Sequence, residues 1–166
     1  MYDAIVVGAR CAGSSTGLLL ARKGYKVLLV DRSTYASDLP FSTHYIHQSG
    51  MARLKQWGLF GRIAASNCPP ITSFYFDFSA FALAGSPPPA EGVKEAYAPR
   101  RKVLDAILVD AAVAAGAELR TGFSVNELVT DGDRVCGIRG QEKAGSSVVE
   151  RAAIVIGADE IGRAHV

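Results

Sequence analysis

Residues 5–32 read IVVGARCAGSSTGLLLARKGYKVLLVDR, and this stretch decides the fold. Ile5, Val6 and Val7 make a short apolar run that ends at Gly8. A second apolar run, Val27 to Val30, ends at Asp31. Between them lie a glycine turn and a segment carrying Leu18, Leu19 and Leu20. The order strand, turn, helix, strand is a βαβ unit, whose crossover is right-handed. The reading places a strand over 4–7, a helix over 12–23 stopped by Gly24, and a strand over 26–30. Unbroken apolar strands of this kind are buried on both faces of a parallel sheet.

The turn carries the chemistry. Gly8 and Gly13 fill the outer positions of GxGxxG, and Arg10 stands in the middle position. Such a turn brings backbone N–H groups toward a phosphate, and the start of the following helix adds positive partial charge. Gly13 lets the helix pack closely on the strand. A side chain at position 10 crowds a pyrophosphate, yet an arginine can swing aside and pair with it. Cys11 reads as a small residue fitted to a crowded turn, with no CxxC partner. Asp31 is placed to accept both hydroxyls of an adenosine ribose and to repel a 2′-phosphate, which disfavours NADP here. Arg32 is either a neighbour of adenine or phosphate, or a solvated side chain. Gly8, Ala9, Arg10, Cys11, Ala12, Gly13, Asp31, Arg32 and Ser33 are thus the candidate dinucleotide site.

Composition narrows the classes. The chain has 166 residues, 49% of them hydrophobic, and a net charge of +2 with mixed signs. That is enough for one core with a small appendage. No long basic run points to nucleic acid. Cys11, Cys68 and Cys136 are far apart, so neither a disulfide framework nor a metal site is expected. A reducing, cytoplasmic setting fits, with peripheral membrane contact left open. No stretch is long and apolar enough for a transmembrane helix.

Further along, residues 33–49 read as irregular, with Ser37, Pro40, Ser42 and Thr43 discouraging a long element. Short helices are expected over 50–57 and 59–65. The aromatic run 71–83 reads as one strand or a hairpin turning near Asp77, either plain core or part of a substrate pocket. Residues 85–92 read as a loop. A helix over 100–115 buries Leu104, Ile107, Leu108, Ala111 and Ala115. A strand over 117–120 follows. The runs 123–130 and 135–140 flank the turn DGDR. Residues 148–152 would be a third member of that meander, and 153–157 a buried parallel strand. The sequence continues only to Val166, so a fragment of a longer protein is expected, with a complete small Rossmann-like domain and a short tail as the alternative.

The stretch VVGARCAGSSTGLLLARKGYKVLLVDR resembles the N-terminus of the FAD-dependent oxidoreductases built like p-hydroxybenzoate hydroxylase. Geranylgeranyl reductases and flavin-dependent halogenases share it, and a bacterial subset is similar even to GARCAG and to STHYIHQ at 42–48. Three later segments agree in order. Arg100–Asp105 resembles the segment whose arginine, here Arg101 with Arg100 as the runner-up, reaches the flavin pyrophosphate or ribityl. Gly122–Val125 resembles a strand lying against adenine, with Val125 as the contact. Gly157-Ala158-Asp159 resembles the start of a GADG motif, whose aspartate, here Asp159, helps hold the flavin. Glu160 and Arg163 depart from that motif, and a later GD motif is missing. In the resembling proteins the region of His44, Tyr45 and His47 approaches the flavin ring. His44 is the one catalytic candidate, weak beside the solvated reading.

The resemblance implies an α/β, Rossmann-like FAD-binding fold with a parallel sheet, a β-meander crossover and a small additional β segment. Residues 1–70 and 98–166 would form the FAD-binding domain, incomplete without its GD motif. Residues 71–97 would belong to a second, substrate-side β region. The implied activity is hydride transfer from NAD(P)H to FAD, then to O₂ and substrate or to an alkene. The substrate would be a small apolar, aromatic or isoprenoid molecule, and the remainder of the enzyme chain would be required. An NAD-binding dehydrogenase fragment and a non-catalytic nucleotide-binding module stay open beside this reading.

Overall fold

The structure, a computed structural model, describes residues 1–34, 44–143 and 145–159. In chain order the elements are β1 (Tyr2–Val7), α1 (Cys11–Arg22), β2 (Val27–Asp31), α2 (Gln48–Gln56), α3 (Phe60–Ala64), β3 (Phe74–Asp77) and β4 (Ala82–Gly85). They continue with α4 (Arg101–Ala114), β5 (Glu118–Thr121), β6 (Phe123–Asp131), β7 (Arg134–Glu142) and β8 (Ser147–Gly157). The chain divides into two compact units, 1–37 with 108–166, and 38–107.

The first unit is built on a six-stranded sheet in the order β5-β2-β1-β8-β7-β6. β1 runs parallel to β2, with Ile5 opposite Leu28, and parallel to β8, with Val6 opposite Ile156. β5 adds to β2 in parallel. This is the expected Rossmann-like α/β arrangement. Ile5, Val6, Leu28, Leu29 and Val30 are fully buried, as their unbroken apolar run requires. Ile5, Leu28 and Val30 share one core cluster with Phe123 and Ile138 of the meander. Leu29 lies within reach of Gly17 on α1. The β1–β2 part of the sheet therefore packs against meander residues on one face and against α1 on the other.

Local signals explain the element ends. α1 stops in a Schellman motif, with Gly24 N–H on the Ala21 carbonyl and Tyr25 N–H on the Leu20 carbonyl. Gly24 has φ +86°, the left-handed conformation that glycine adopts without steric cost. Asp131 pairs with Arg134 across a two-residue turn, as DGDR foretells. The ring of buried Phe123 lies over Gly140, where a Cβ would come within 2.2 Å of it.

β8 differs from expectation. Its eleven residues form one strand, not two. Its first half pairs antiparallel with β7, and its second half runs parallel to β1. The second half is also not buried throughout, since Ile154 is 59% exposed. α1 packs on β1 and β2, and among the described residues Ile154, in register with Ala4 of β1, stays exposed.

A polar network ties three strands together. Tyr2 Oη donates to Glu118 Oε2 at 2.6 Å. Arg120 reaches Glu118 at 3.0 Å and Glu150 at 2.7 Å. Burial, with the Glu118 carboxylate second, pushes the Tyr2 phenol from 10.0 up to about 12. The hydrogen bond from Tyr2 draws Glu118 below its ordinary value.

In the second unit Met51 of α2 and Ile63 of α3 are fully buried. Arg62 Nη1 donates to the Ile107 carbonyl on α4. β3 and β4 form an antiparallel hairpin on their own. Its aromatics are not core, contrary to one of the two expectations. Tyr75, Phe76, Phe78 and Phe81 are 53–69% exposed. A two-stranded sheet has no second layer of its own, and its rings stack on one another, Phe78 on Phe81 at 4.9 Å. No described helix is long and apolar enough to cross a membrane.

Candidate functional site

The ends of β1, β2 and β8 meet the start of α1. Gly8 N–H donates to the Val30 carbonyl at 2.8 Å, and Ala158 N–H to the Val7 carbonyl at 2.7 Å. These bonds draw the glycine turn between the two neighbouring strand ends. Gly8 has φ +102°, and a Cβ there would lie 2.5 Å from the Ala158 oxygen and 2.9 Å from Asp159 Cα. A Cβ on Gly13 would lie 1.7 Å from the Gly8 oxygen. Both positions therefore need glycine, for backbone approach as well as for the turn itself.

Helix α1 starts at this turn with Arg10 as N-cap. No side chain caps it, and its first turn holds no acidic residue. The positive end of the helix is thus not offset by a carboxylate of its own first turn, which suits a phosphate ligand. The cradle that a Cβ would fill fits the pyrophosphate of a dinucleotide such as FAD.

Asp31 accepts two backbone N–H groups. Its Oδ2 accepts the Ala9 N–H at 2.8 Å, and its Oδ1 accepts the Ser33 N–H at 2.8 Å. Each carboxylate oxygen has a second lone pair, so ribose hydroxyls can share the same group. The Ser33 carbonyl in turn accepts the Gly122 N–H at 3.3 Å, linking this corner to the start of β6. Arg32 is exposed. Val125 stands opposite Gly140 beside a bulge, and its side chain packs against the core cluster. Cys11, Arg10 and Ala12 form the opening of α1 and its cap, as their positions in the turn required.

Sequence reasoning passed over Ser14, which is fully buried and whose Oγ donates to the Ala9 carbonyl at 2.5 Å. A serine directly after Gly13, the last glycine of the turn, was the available signal. Ala158, inside the GAD run, closes the cradle with its backbone. Ser37, Pro40, Ser42, Thr43, Glu160 and Arg163 lie outside the described residues.

The remaining candidates belong to the second unit. His44 adopts φ +58°. Beside it the Tyr45 ring packs edge-on against His47 at 4.5 Å and Phe74 at 5.5 Å. Burial raises the Tyr45 phenol above its ordinary value. Arg101 is held by the acid one turn along. Its Nε and Nη2 both lie 3.3 Å from Asp105 Oδ1, and Asp105 is 6% exposed. Among the described residues no three His, Cys, Asp or Glu side chains cluster as metal ligands would.

Known proteins resemble this chain in sequence and in fold. The chain is 31% identical over 163 residues to the probable electron transfer flavoprotein-quinone oxidoreductase YdiS of Escherichia coli, covering 96% of this chain and 37% of that one. It is 29% identical over 166 residues to digeranylgeranylglycerophospholipid reductase 2 of Methanococcoides burtonii, covering 96% and 38%. The chain thus spans little more than a third of the length of these relatives. Among solved structures, the myxobacterial FAD-dependent halogenase CndH superposes with a TM-score of 0.86 at 19% identity, over 95% of this chain and 37% of that one. That likeness concerns the fold. The family described as FAD binding domain matches residues 1–162, from β1 past Asp159. With the glycine cradle, the uncapped helix start and the Asp31 corner all inside that match, the chain belongs to the FAD binding domain family, and FAD is the cofactor its site is built for.

Proposed function

We propose that the chain is the FAD-binding portion of a flavin-dependent oxidoreductase. In the working protein, hydride from NAD(P)H would pass by way of FAD to O₂ and a substrate, as in a monooxygenase, or to an alkene, as in a geranylgeranyl reductase. The observation that carries this reading is the cradle of Gly8, Gly13 and Ala158 at a helix start with no acid in its first turn. FAD supplies the redox chemistry when bound, and the protein supplies binding and orientation.

The roles follow by position. Gly8, Ala9, Arg10, Cys11, Ala12 and Gly13 hold the pyrophosphate. Asp31, with Arg32 and Ser33 beside it, takes the adenosine ribose. The Val125 backbone meets adenine, and Asp159 supports the flavin nucleotide. In the second unit, Arg101 is the candidate for a flavin phosphate or ribityl contact, and His44 for a flavin-side or catalytic role. Residues 1–70 and 98–166 are proposed as the FAD-binding domain, and 71–97 as part of a substrate-side β region. One relative is named for a quinone and another for a digeranylgeranyl lipid, which supports an apolar, isoprenoid or aromatic substrate. A cytoplasmic location, with peripheral membrane contact for such a substrate, belongs to the same proposal.

The test is a visible spectrum after incubation with FAD and desalting. Retained absorption near about 370 and 450 nm, the bands of oxidised flavin, supports the reading. A colourless protein that also gives no heat with FAD in calorimetry overturns it for this chain.

A further inference from the structure

Ser14 lies in the first turn of α1 and is fully buried. Its hydroxyl reaches back five residues to the Ala9 carbonyl at 2.5 Å. A helical serine that bonds back along its own helix uses the carbonyl three or four residues earlier, so this bond instead spans the glycine turn. Ala9 is itself only 7% exposed, and its N–H goes to Asp31 Oδ2 at 2.8 Å. Both polar groups of one turn residue are therefore taken, one by the helix and one by the end of β2.

Peptide units are planar and trans, so the C=O and N–H of one unit point in opposite directions. The bond to Asp31 fixes the Gly8–Ala9 unit. Its other end, the Gly8 carbonyl, lies over Gly13, where a Cβ would come within 1.7 Å. The bond from Ser14 fixes the next unit, Ala9–Arg10. Drawing the Ala9 carbonyl toward Ser14 turns the Arg10 N–H away from Ser14. Two successive units are thus set by two side chains.

The geometry points to Ser14 as a positioning residue for dinucleotide binding, acting with Asp31 through Ala9. Ser14 need not touch the ligand. It fixes the direction of the Arg10 N–H in the turn that cradles the pyrophosphate, so the site is arranged before the ligand arrives. This inference rests on the FAD-binding reading above.

The experiment measures Kd for FAD by flavin fluorescence and for ADP by calorimetry, with the melting temperature of each variant alongside. Ser14→Ala weakens FAD and ADP by a common factor of about ten, because both ligands carry the pyrophosphate. Ser14→Cys keeps the shape but weakens the donor, and it shifts both constants in the same direction. It also replaces the alanine variant if that one fails to fold. A melting temperature that falls while both constants stay at the wild-type value overturns the positioning role and leaves the FAD reading standing. A wild-type chain that binds neither FAD nor ADP overturns the FAD reading, and this inference with it.

Discussion

Asp31 Oδ2 accepts the Ala9 N–H at 2.8 Å, so the carboxylate at the end of β2 holds the glycine turn that follows β1. Its other oxygen holds Ser33 at 2.8 Å. The carboxylate proposed to take the ribose is therefore also part of the frame of the glycine turn.

Asp31→Ala is expected to weaken FAD binding by roughly 1.5–3 kcal/mol, the value of hydrogen bonds to a charged group. It should also lower stability by about 1 kcal/mol, because the Ala9 and Ser33 amides lose their acceptor. Asp31→Asn keeps one side-chain oxygen and should retain part of each effect. Flavin titrations and thermal melts on the two variants check this. Unaltered FAD affinity in Asp31→Ala would remove the residue from the ligand site.

Two glycines on α1 should respond in opposite ways to the same change. At Gly13 a Cβ would meet the Gly8 oxygen at 1.7 Å, so Gly13→Ala must push the helix off the turn. A loss of about 3 kcal/mol or more, together with loss of flavin binding, is expected. At Gly17 a Cβ would sit 3.8 Å from Leu29 Cδ2, an ordinary contact inside a helix. Gly17→Ala should be neutral or stabilising by up to about 1 kcal/mol. Denaturant melts decide it, and equal destabilisation at both sites would show that the packing of α1 is misread.

The sequence made the βαβ unit legible because its signals agree: apolar runs, turn glycines and Gly24 all point one way. The cradle was legible for the same reason, since only glycine tolerates the approach at Gly8 and Gly13. Less could be read where a result depends on what lies over a strand. Ile154 looks like core in the run AAIVIG and is exposed, because period and hydropathy do not say whether a helix covers β8. Tyr75 and Phe76 of β3 and Phe78 and Phe81 of the turn after it likewise look like core in the sequence and are exposed. The bond from Ser14 to Ala9 and the backbone partners of Asp31 were not legible, because bonds across a turn depend on peptide orientation, which residue types do not encode.

Tyr2 gives a pH dependence with a definite sign. Its phenol is raised from 10.0 to about 12 by burial and by Glu118. A raised phenol favours the neutral form in the folded state. Its stabilising contribution is present in full below pH 10 and is lost as pH rises through about 12. Tyr2→Phe should cost about 1 kcal/mol at neutral pH. Its melting temperature should then fall less steeply than the wild type's between those two values. At the acid end the variant also frees Glu118 from the bond that lowers its pKa. The stability that this carboxylate contributes above its ordinary value, and loses on acidification, should therefore shrink. Parallel melting curves for both proteins across the alkaline range would show that the Tyr2–Glu118 bond adds nothing to the fold.

Arg101 needs a control before any loss of flavin binding is read as a lost phosphate contact. Its guanidinium lies 3.3 Å from Asp105 Oδ1, with side-chain exposures of 18% and 8%. Removing one member of a buried ion pair leaves the other charge poorly solvated, at a cost of about 3 kcal/mol. Arg101→Ala should therefore destabilise the helix start whether or not the arginine meets a ligand. The double variant Arg101→Ala with Asp105→Asn removes the carboxylate charge as well and should recover part of that loss. Flavin affinity then separates the two roles. If the double variant regains stability but binds FAD no better than the single one, Arg101 acts on the ligand. If binding returns along with stability, Arg101 serves the helix, and the flavin phosphates are held without it.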